Sequence, residues 1–224
     1  MHLVILSGAA RPQSASNTAK IISAFRRGYE AEGNTAEVWY LSDRKQWIGA
    51  AQAFAEHDHI LIALPLYVEN IPGILLEFLS GLTPKTDSTE IAFLLQGGFP
   101  EASQSDCCLA YLETLPAQLG CTYAGTLHKG DLFGLGLMEE ADRAKLLAPF
   151  TEMGRQFART HRFDRQTAEQ FSGPAYLPTS QRVLFRLVGH AVQRVFMGRM
   201  AKKMGCRQPL DARPYQDSVS ANHR

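Results

Sequence analysis

The sequence predicts a doubly wound α/β domain, with five parallel strands in one sheet, helices on both of its faces, and a helical extension at the C-terminal end. Two observations support this prediction. Five short apolar segments alternate with five amphipathic helical segments, and each pair has the length of a βα unit. The central apolar segments contain almost no polar residues, which is typical of parallel strands buried on both faces.

The five strands are apolar runs bounded by polar or turn-forming residues. The first run, HLVIL, begins at His2, and the second follows the Gly33-Asn34 pair that ends a helix. The third and fourth runs, HILIAL and EIAFLL, are apolar enough for the centre of a sheet. The fifth run follows Gly120. The predicted strands cover residues 2–6, 36–41, 59–64, 90–95 and 121–127.

The helices between these strands have apolar residues that recur every three or four positions. Pro72 is suited to the first turn of the third helix, and Gly120 is suited to the end of the fourth. The predicted helices cover about residues 19–32, 48–56, 72–82, 103–119 and 138–161.

Composition narrows the classes of function. A formal net charge of +1 over 224 residues gives no attraction to nucleic acid, so we expect no nucleic-acid partner. The four cysteines, Cys107, Cys108, Cys121 and Cys206, lack metal-site spacing and fit a reducing, cytoplasmic setting. We interpret the adjacent pair as buried helix residues. The short N-terminal apolar run predicts no signal peptide, and no run of about 18 apolar residues predicts a membrane span.

The loop after the first strand favours a phosphate site. It is rich in hydroxyls, contains Arg11, and leads into a helix N-terminus whose first amides have no partner inside the helix. An ordinary helix cap explains one hydroxyl, but four capping residues within five positions favour an anion. The loop has neither the Gly-x-x-x-x-Gly-Lys-Ser/Thr nor the Gly-x-Gly-x-x-Gly pattern, which argues against an ATPase and a dinucleotide-binding domain. The four capping residues are Ser14, Ser16, Asn17 and Thr18.

Two further loops end at the same predicted edge of the sheet. Residues 65–73 (PLYVENIPG) place an aromatic and three apolar side chains beyond the third strand, where they pack on a helix, a second subunit or a flat ring. Residues 96–101 (QGGFPE) contain two glycines, which serve a tight turn or let the backbone approach a ligand closely. One phosphate loop and two ring loops at one edge together favour a flat phosphorylated cofactor.

These three loops resemble those of the flavodoxin-like NADPH-dependent FMN reductases, also called NAD(P)H-dependent oxidoreductases. Residues 7–11 (SGAAR) and 16–18 (SNT) are similar to that family's first loop, although the opening order is Ser-Gly instead of Gly-Ser. Residues 65–73 resemble its Pro-x-Tyr-x…Pro-Gly loop, and residues 96–100 resemble the third flavin loop of some members. The resemblance covers about residues 1–160. Residues 47–53 contain no cysteine where many relatives have a Cys-x-Gly-Cys-x-x-Cys segment, so iron–sulfur chemistry is not expected there.

The resemblance implies an FMN-dependent enzyme. It would take a hydride from NADPH or NADH and pass it through flavin N5 to a small acceptor, such as a quinone, an azo or nitro compound, or free flavin. No catalytic side chain and no metal is assigned. The rival interpretations are a flavodoxin-type electron carrier and a flavin-free interaction module. The implied cofactor-binding residues are Ser7, Arg11, Ser14, Ser16, Asn17 and Thr18 in the first loop, and Pro65, Leu66, Tyr67, Val68, Gln96, Gly97, Gly98 and Phe99 in the other two.

The predicted domains are residues 1–162, which bind FMN, and residues 163–224, a C-terminal extension with a basic amphipathic helix at about 180–204. Apolar residues recur in that helix at helical spacing, and residues 180–210 contain no Asp or Glu. The helix is interpreted as docked on the domain or on a partner in a homodimer. A surface for the NADPH phosphate or an acidic partner, or an interfacial membrane helix, is the alternative. We expect the dimer to be formed by residues 66–71 and this helix.

Overall fold

The structure is a computed structural model that describes residues 1–86 and 88–213, apart from the side chains of residues 185, 188 and 190–193. The chain forms two compact units. The first covers Met1–Tyr176, and the second begins at Leu177.

The first unit contains one five-stranded parallel sheet in the order β2-β1-β3-β4-β5, which is the flavodoxin-like order. Every strand predicted from the sequence is present. The register places Leu6 of β1 between Trp39 of β2 and Ile62 of β3. The strands are β1 His2–Ser7, β2 Thr35–Tyr40, β3 His59–Pro65, β4 Glu90–Gln96 and β5 Thr122–Lys129.

The five predicted helices of the domain are also present, with ends that differ by a few residues. Ser16 caps the first helix through a hydrogen bond of 3.2 Å from the Ala19 amide to Ser16 Oγ, so that helix starts at Asn17, two residues earlier than predicted. The helices of the first unit are α1 Asn17–Ala31, α2 Trp47–Glu56, α3 Gly73–Ser80, α4 Asp106–Gln118, α5 Glu140–Thr160 and α6 Arg165–Ser172.

The core lies in two layers, one on each face of the sheet. Because side chains of a strand alternate between faces, Leu3 and Ile5 of β1 pack with α1 and α5, while Val4 and Leu6 pack with α2, α3 and α4. In α4, Cys108 is buried and Cys107 is exposed, so only one of the two adjacent thiols is a core residue as expected.

Helix α6 is an element that the sequence analysis missed, and the predicted division into domains 1–162 and 163–224 stays a prediction. The first compact unit includes α6 and ends at Tyr176. Two contacts explain this. Phe171 of α6 packs edge-on against Phe150 of α5, with ring centroids 5.1 Å apart, and Lys129 Nζ donates a hydrogen bond of 2.8 Å to the Phe171 carbonyl.

The second unit contains the predicted C-terminal helix, α7 Thr179–Lys203. Leu184, Leu187, Val195 and Phe196 are exposed, each by 46% or more, and the side chains of residues 188 and 191 lie outside the described part. The homodimer that we expected to cover these residues stays a prediction. Among the described residues, none of the helices is both long enough and apolar enough to cross a bilayer.

Close contact between α1 and α5 depends on two glycines. A Cβ atom built on Gly28 would lie 1.8 Å from the carbonyl oxygen of Thr151, and one built on Gly154 would lie 2.0 Å from that of Phe25. Because each obstacle is backbone, a side chain at either position forces the helices apart. The pair thus fixes where α1 lies on the sheet.

We predict that Gly28→Ala and Gly154→Ala each lower the free energy of unfolding by about 1–3 kcal/mol or more, because both overfill a packed interface. Chemical denaturation monitored by circular dichroism measures this. Gly73→Ala is the control, since a Cβ at Gly73 would meet no described residue within 4 Å beyond its chain neighbours and its own helix. A Gly28 or Gly154 variant as stable as the Gly73 variant contradicts the prediction.

Candidate functional site

The candidate site lies at the carboxyl edge of the sheet, between β1 and β3, where the strand order reverses direction. Backbone hydrogen bonds hold its loops together. The Gly8 amide donates to the Ala63 carbonyl at 2.8 Å, and the Leu66 amide donates to the Gln96 carbonyl at 2.8 Å. The loops after β1, β3 and β4 therefore meet, as the sequence analysis expected.

The N-terminus of α1 presents two buried hydroxyls. Ser16 Oγ accepts the Ala19 amide, and Thr18 Oγ1 accepts a 3.0 Å hydrogen bond from Gln96 Nε2. Both side chains are at most 2% exposed. Because a hydroxyl carries one proton besides its acceptor sites, each retains an O–H that it can donate. The same residues thus brace the loop and offer donors to an anion.

Gln96 connects the first loop to the third. Its Nε2 donates to Thr18, while its Oε1 is buried and has no hydrogen-bond partner in the described part of the chain. A buried amide oxygen without a partner costs about 1–3 kcal/mol. A donor that reaches the oxygen recovers this cost, so Gln96 offers one acceptor at the start of the third loop.

Asn17 connects the first loop to the segment after β5. Its Nδ2 donates a hydrogen bond of 3.1 Å to the Leu132 carbonyl, and a Cβ on Gly136 would lie 3.0 Å from its Oδ1. Asn17 therefore has a structural role, and its phosphate contact stays a prediction. Ser7 is buried at the end of β1, whereas Arg11 and Ser14 are exposed on the loop.

Three cations surround the start of α1, and two of them were missed by the sequence analysis. Lys20 Nζ donates to the Ser16 carbonyl at 3.3 Å. Burial lowers the pKa of Lys20, and the charges of Arg143, on α5, and Arg11 lower it further. The first acidic residue of the chain is Glu30, near the end of α1. A concentration of positive charge with no carboxylate on the loop favours an anionic ligand.

The loop after β3 forms a tight hairpin. The Tyr67 amide donates to the Asn70 carbonyl at 2.9 Å, and the Asn70 amide donates to the Tyr67 carbonyl at 3.1 Å. Val68 and Glu69 adopt positive φ angles of 50° and 63°. This region costs an L-residue roughly 1–2 kcal/mol, most for a β-branched side chain. Val68 is also 99% exposed, so the loop combines backbone strain with an uncovered apolar side chain.

Not every apolar side chain of this hairpin faces outward. Ile71 is buried and Leu66 is half-buried, and both pack with the core under α2, α3 and α4. Pro65 is also buried, whereas Tyr67 remains 43% exposed. Packing on the domain thus accounts for part of the loop, and Tyr67 and Val68 are left to cover a ligand or a partner.

The loop after β4 is held by the segment that follows β5. The buried Gly97 amide donates to the Lys129 carbonyl at 2.8 Å, and the Asp131 amide donates to the Phe99 carbonyl at 2.9 Å. A Cβ on Gly130 would lie 2.1 Å from the Phe99 carbonyl oxygen, so only glycine fits there. These bonds fix the loop while Gly98 and the ring of Phe99, which is 68% exposed, face outward.

A buried histidine supports this loop. His128 Nε2 lies 2.8 Å from Ser105 Oγ, and a Cβ on Gly97 would lie 3.6 Å from the same nitrogen. Burial, together with the charge of Lys129, lowers the pKa of His128 to about 4, and Asp106 opposes part of that shift. His128 is therefore neutral at physiological pH, and its buried position makes it a support for the loop.

Solved structures with the same fold include three flavoproteins or oxidoreductases. An FMN-dependent NADH-azoreductase from Bacillus anthracis, in complex with FMN, is 13% identical and gives a TM-score of 0.55 over 73% of this chain and 100% of its own. An NAD(P)H:quinone oxidoreductase from Methanothermobacter marburgensis is 15% identical, with a TM-score of 0.55 over 72% and 99%.

General stress protein 14 from Treponema denticola, also in complex with FMN, is 17% identical and gives a TM-score of 0.52 over 71% of this chain and 98% of its own. No protein-family model matches the sequence, and no curated protein does so either. These likenesses, together with the strand order, establish that the chain has the flavodoxin-like fold.

We predict that His128 makes the protein less stable as the pH falls from 6.5 towards 4. The folded state holds the imidazole neutral, while the unfolded chain binds a proton in that range, so protonation favours unfolding. The contribution of His128 reaches roughly 3 kcal/mol near pH 4.

The measurement is the free energy of unfolding against pH for the wild type and for His128→Gln, which keeps a polar group beside Ser105 but cannot titrate. The variant should lose part of the slope between pH 4 and 6.5. Identical slopes contradict a buried neutral His128.

Proposed function

We propose that the chain is an FMN-dependent NAD(P)H oxidoreductase that reduces a small acceptor, such as a quinone, an azo or nitro compound, or free flavin. The observation that carries the proposal is the positive charge at the N-terminus of α1. Lys20, Arg143 and Arg11 lie near the Ser16 and Thr18 hydroxyls there. The strained loop after β3 and the glycine-rich loop after β4 end at the same edge of the sheet. FMN bound there would supply the hydride chemistry, at its N5 atom.

The residues of α1 and its loop would hold the phosphate. The helix offers its first amides, Ser16 and Thr18 retain their O–H donors, and Lys20 supplies a partly buried charge. Arg11 and Ser14, which are exposed on the loop, would close over the anion from outside. A terminal phosphate suits this site better than a pyrophosphate, because the loop lacks a glycine-rich turn.

The other two loops would hold the ring. Tyr67, Val68 and Phe99 supply exposed apolar surface. Gly98 leaves room for a flat group beside Phe133, because a Cβ added to Gly98 would lie 3.7 Å from the Phe133 Cβ. The buried Oε1 of Gln96 has no hydrogen-bond partner among the described residues, and in the complex a ligand hydroxyl would donate to it. Strain at Val68 is of the kind that clusters at ligand sites.

The homodimer predicted from the sequence is part of the proposal. In the part of the chain that the structure describes, Tyr67, Val68 and Phe99 are exposed at the site, and Leu184 and Leu187 are exposed on α7. A second copy that packs on such surfaces removes them from water.

We predict that the protein binds FMN more tightly than riboflavin, which lacks only the phosphate. Lys20→Met should weaken FMN binding by about 10–100-fold, the effect of one lost charge-assisted hydrogen bond, and leave riboflavin binding unchanged. Fluorescence titration of each flavin measures both constants.

Arg27→Met is the matched control, because it removes one exposed cation from the same helix about two turns farther along. Equal affinities of the wild type for FMN and riboflavin would exclude phosphate recognition at this site.

We also predict that the FMN-loaded protein oxidises NADPH or NADH, and that a quinone or azo dye accelerates the oxidation. Absorbance of the reduced nicotinamide measures the rate, with the flavin-free protein as the control. FMN binding without nicotinamide oxidation contradicts the enzyme and favours an electron carrier. Failure to bind any flavin favours the interaction module.

A further inference from the structure

Three potential metal ligands meet at the amino end of the sheet, opposite to the candidate flavin site. His2 begins β1, Glu37 lies in β2, and His57 lies in the turn between α2 and β3. The Nε2 atoms of His2 and His57 are 3.5 Å and 3.8 Å from Glu37 Oε1. One ligand atom from each residue lies within 4.8 Å of the other two.

The spacing fits a small tetrahedral ion. Zn²⁺ bonds to histidine nitrogen and carboxylate oxygen are about 2.0–2.2 Å long, so two tetrahedral ligand atoms lie about 3.4 Å apart. The distances to Glu37 Oε1 are within a few tenths of an ångström of that value. The three side chains are between 34% and 36% exposed, which leaves a side open for a water molecule as the fourth ligand.

The sheet itself brings the ligands together. In the parallel register His2 lies beside Thr35, and Val4 lies beside Glu37. Side chains two residues apart on a strand share a face, so His2 and Glu37 project from the same face of neighbouring strands. The His57 ring then packs against that of His2, with centroids 4.6 Å apart.

The hydrogen bonds around His2 hold its ring through Nδ1 and leave Nε2 towards Glu37. Thr35 Oγ1 lies 3.4 Å from the Met1 carbonyl oxygen, to which it can only donate, and 2.9 Å from His2 Nδ1. Thr35 Oγ1 therefore accepts a hydrogen bond from Nδ1–H. In the neutral ring the lone pair of Nε2 is then free on the side of Glu37 Oε1, 3.5 Å away, where one cation can bind both atoms. A second group that holds the far nitrogen of a histidine is also typical of metal ligands.

We propose that His2, Glu37 and His57 bind one Zn²⁺ ion, with Thr35 as the residue that positions His2. Two histidines and one carboxylate with an open fourth position form a ligand set that Zn²⁺ adopts in proteins. The ion ties the starts of β1 and β2 to the turn before β3. The proposal does not depend on flavin binding, because the site lies at the other end of the sheet.

The test is isothermal titration of the chelator-treated full chain with ZnCl₂ at pH 8, because metal ligands must be unprotonated to bind. Cys107→Ser and Cys206→Ser are introduced beforehand to remove the two exposed thiols. We expect one Zn²⁺ per chain and a higher melting temperature with zinc than with chelator. Glu37→Gln and His57→Asn should each abolish that binding, and Thr35→Val should weaken it by about tenfold or more.

Glu30→Gln is the control, since Glu30 is a similarly exposed carboxylate that pairs with Arg26 outside the cluster. It should bind zinc like the unchanged protein. The melting temperatures of all variants with chelator show whether they are folded. Wild-type zinc binding in a folded Glu37→Gln or Thr35→Val variant overturns the proposal, and so does a parent protein that binds no zinc at equimolar concentration.

Co²⁺ offers a second readout that needs no variant. If the site has four ligands, the cobalt-loaded protein shows the intense visible bands of tetrahedral Co²⁺, and Zn²⁺ displaces them. A weak octahedral spectrum contradicts the proposed geometry.

Discussion

Contact between α1 and α5 determines where the N-terminus of α1 lies, and the candidate site depends on that position. Gly28 and Gly154 let each helix touch the backbone of the other, so α1 has little freedom to shift along the sheet. Ser16, Thr18 and Lys20 then occupy fixed places at the edge where β1 and β3 end. Helix α5 also contributes a charge to the site through Arg143, near its own N-terminus.

Side chains at the start of this helix both hold the loop in place and offer hydrogen-bond donors. Thr18 braces Gln96 and Ser16 caps α1, yet both hydroxyls retain a proton that can be donated. A site built in this way is organised before its ligand arrives, which lowers the conformational entropy lost on binding. The unsatisfied Oε1 of Gln96 and the repulsion among the cations both cost stability; in the proposed complex a ligand hydroxyl would offset the first and the phosphate the second.

The sequence predicted the sheet, its helices and the meeting of three loops at one edge. These features follow from hydrophobic periodicity and from the crossover connections between parallel strands. Arg143 was missed since its proximity to Lys20 is a tertiary property that spacing along the chain does not encode. The hairpin at Tyr67–Asn70 was missed because its two central residues are Val and Glu, where Asn and Gly are usual. Helix α6 is short and followed by Gly173 and Pro174, so the breaking signal outweighed its periodicity.

The two ends of the sheet differ in the charge they present, and the difference follows from the topology. At the carboxyl edge, helix N-termini and cations from α1 and α5 produce a positive potential, which suits an anionic ligand. At the amino edge, Glu37 lies between the rings of His2 and His57, and Glu90 forms an ion pair of 2.9 Å with Arg162. Carboxylates therefore contact basic side chains at that edge. Parallel strands place every β-to-α loop at the first edge and every α-to-β turn at the second. A ligand at one end and a cation at the other can therefore bind the same sheet without competing for residues.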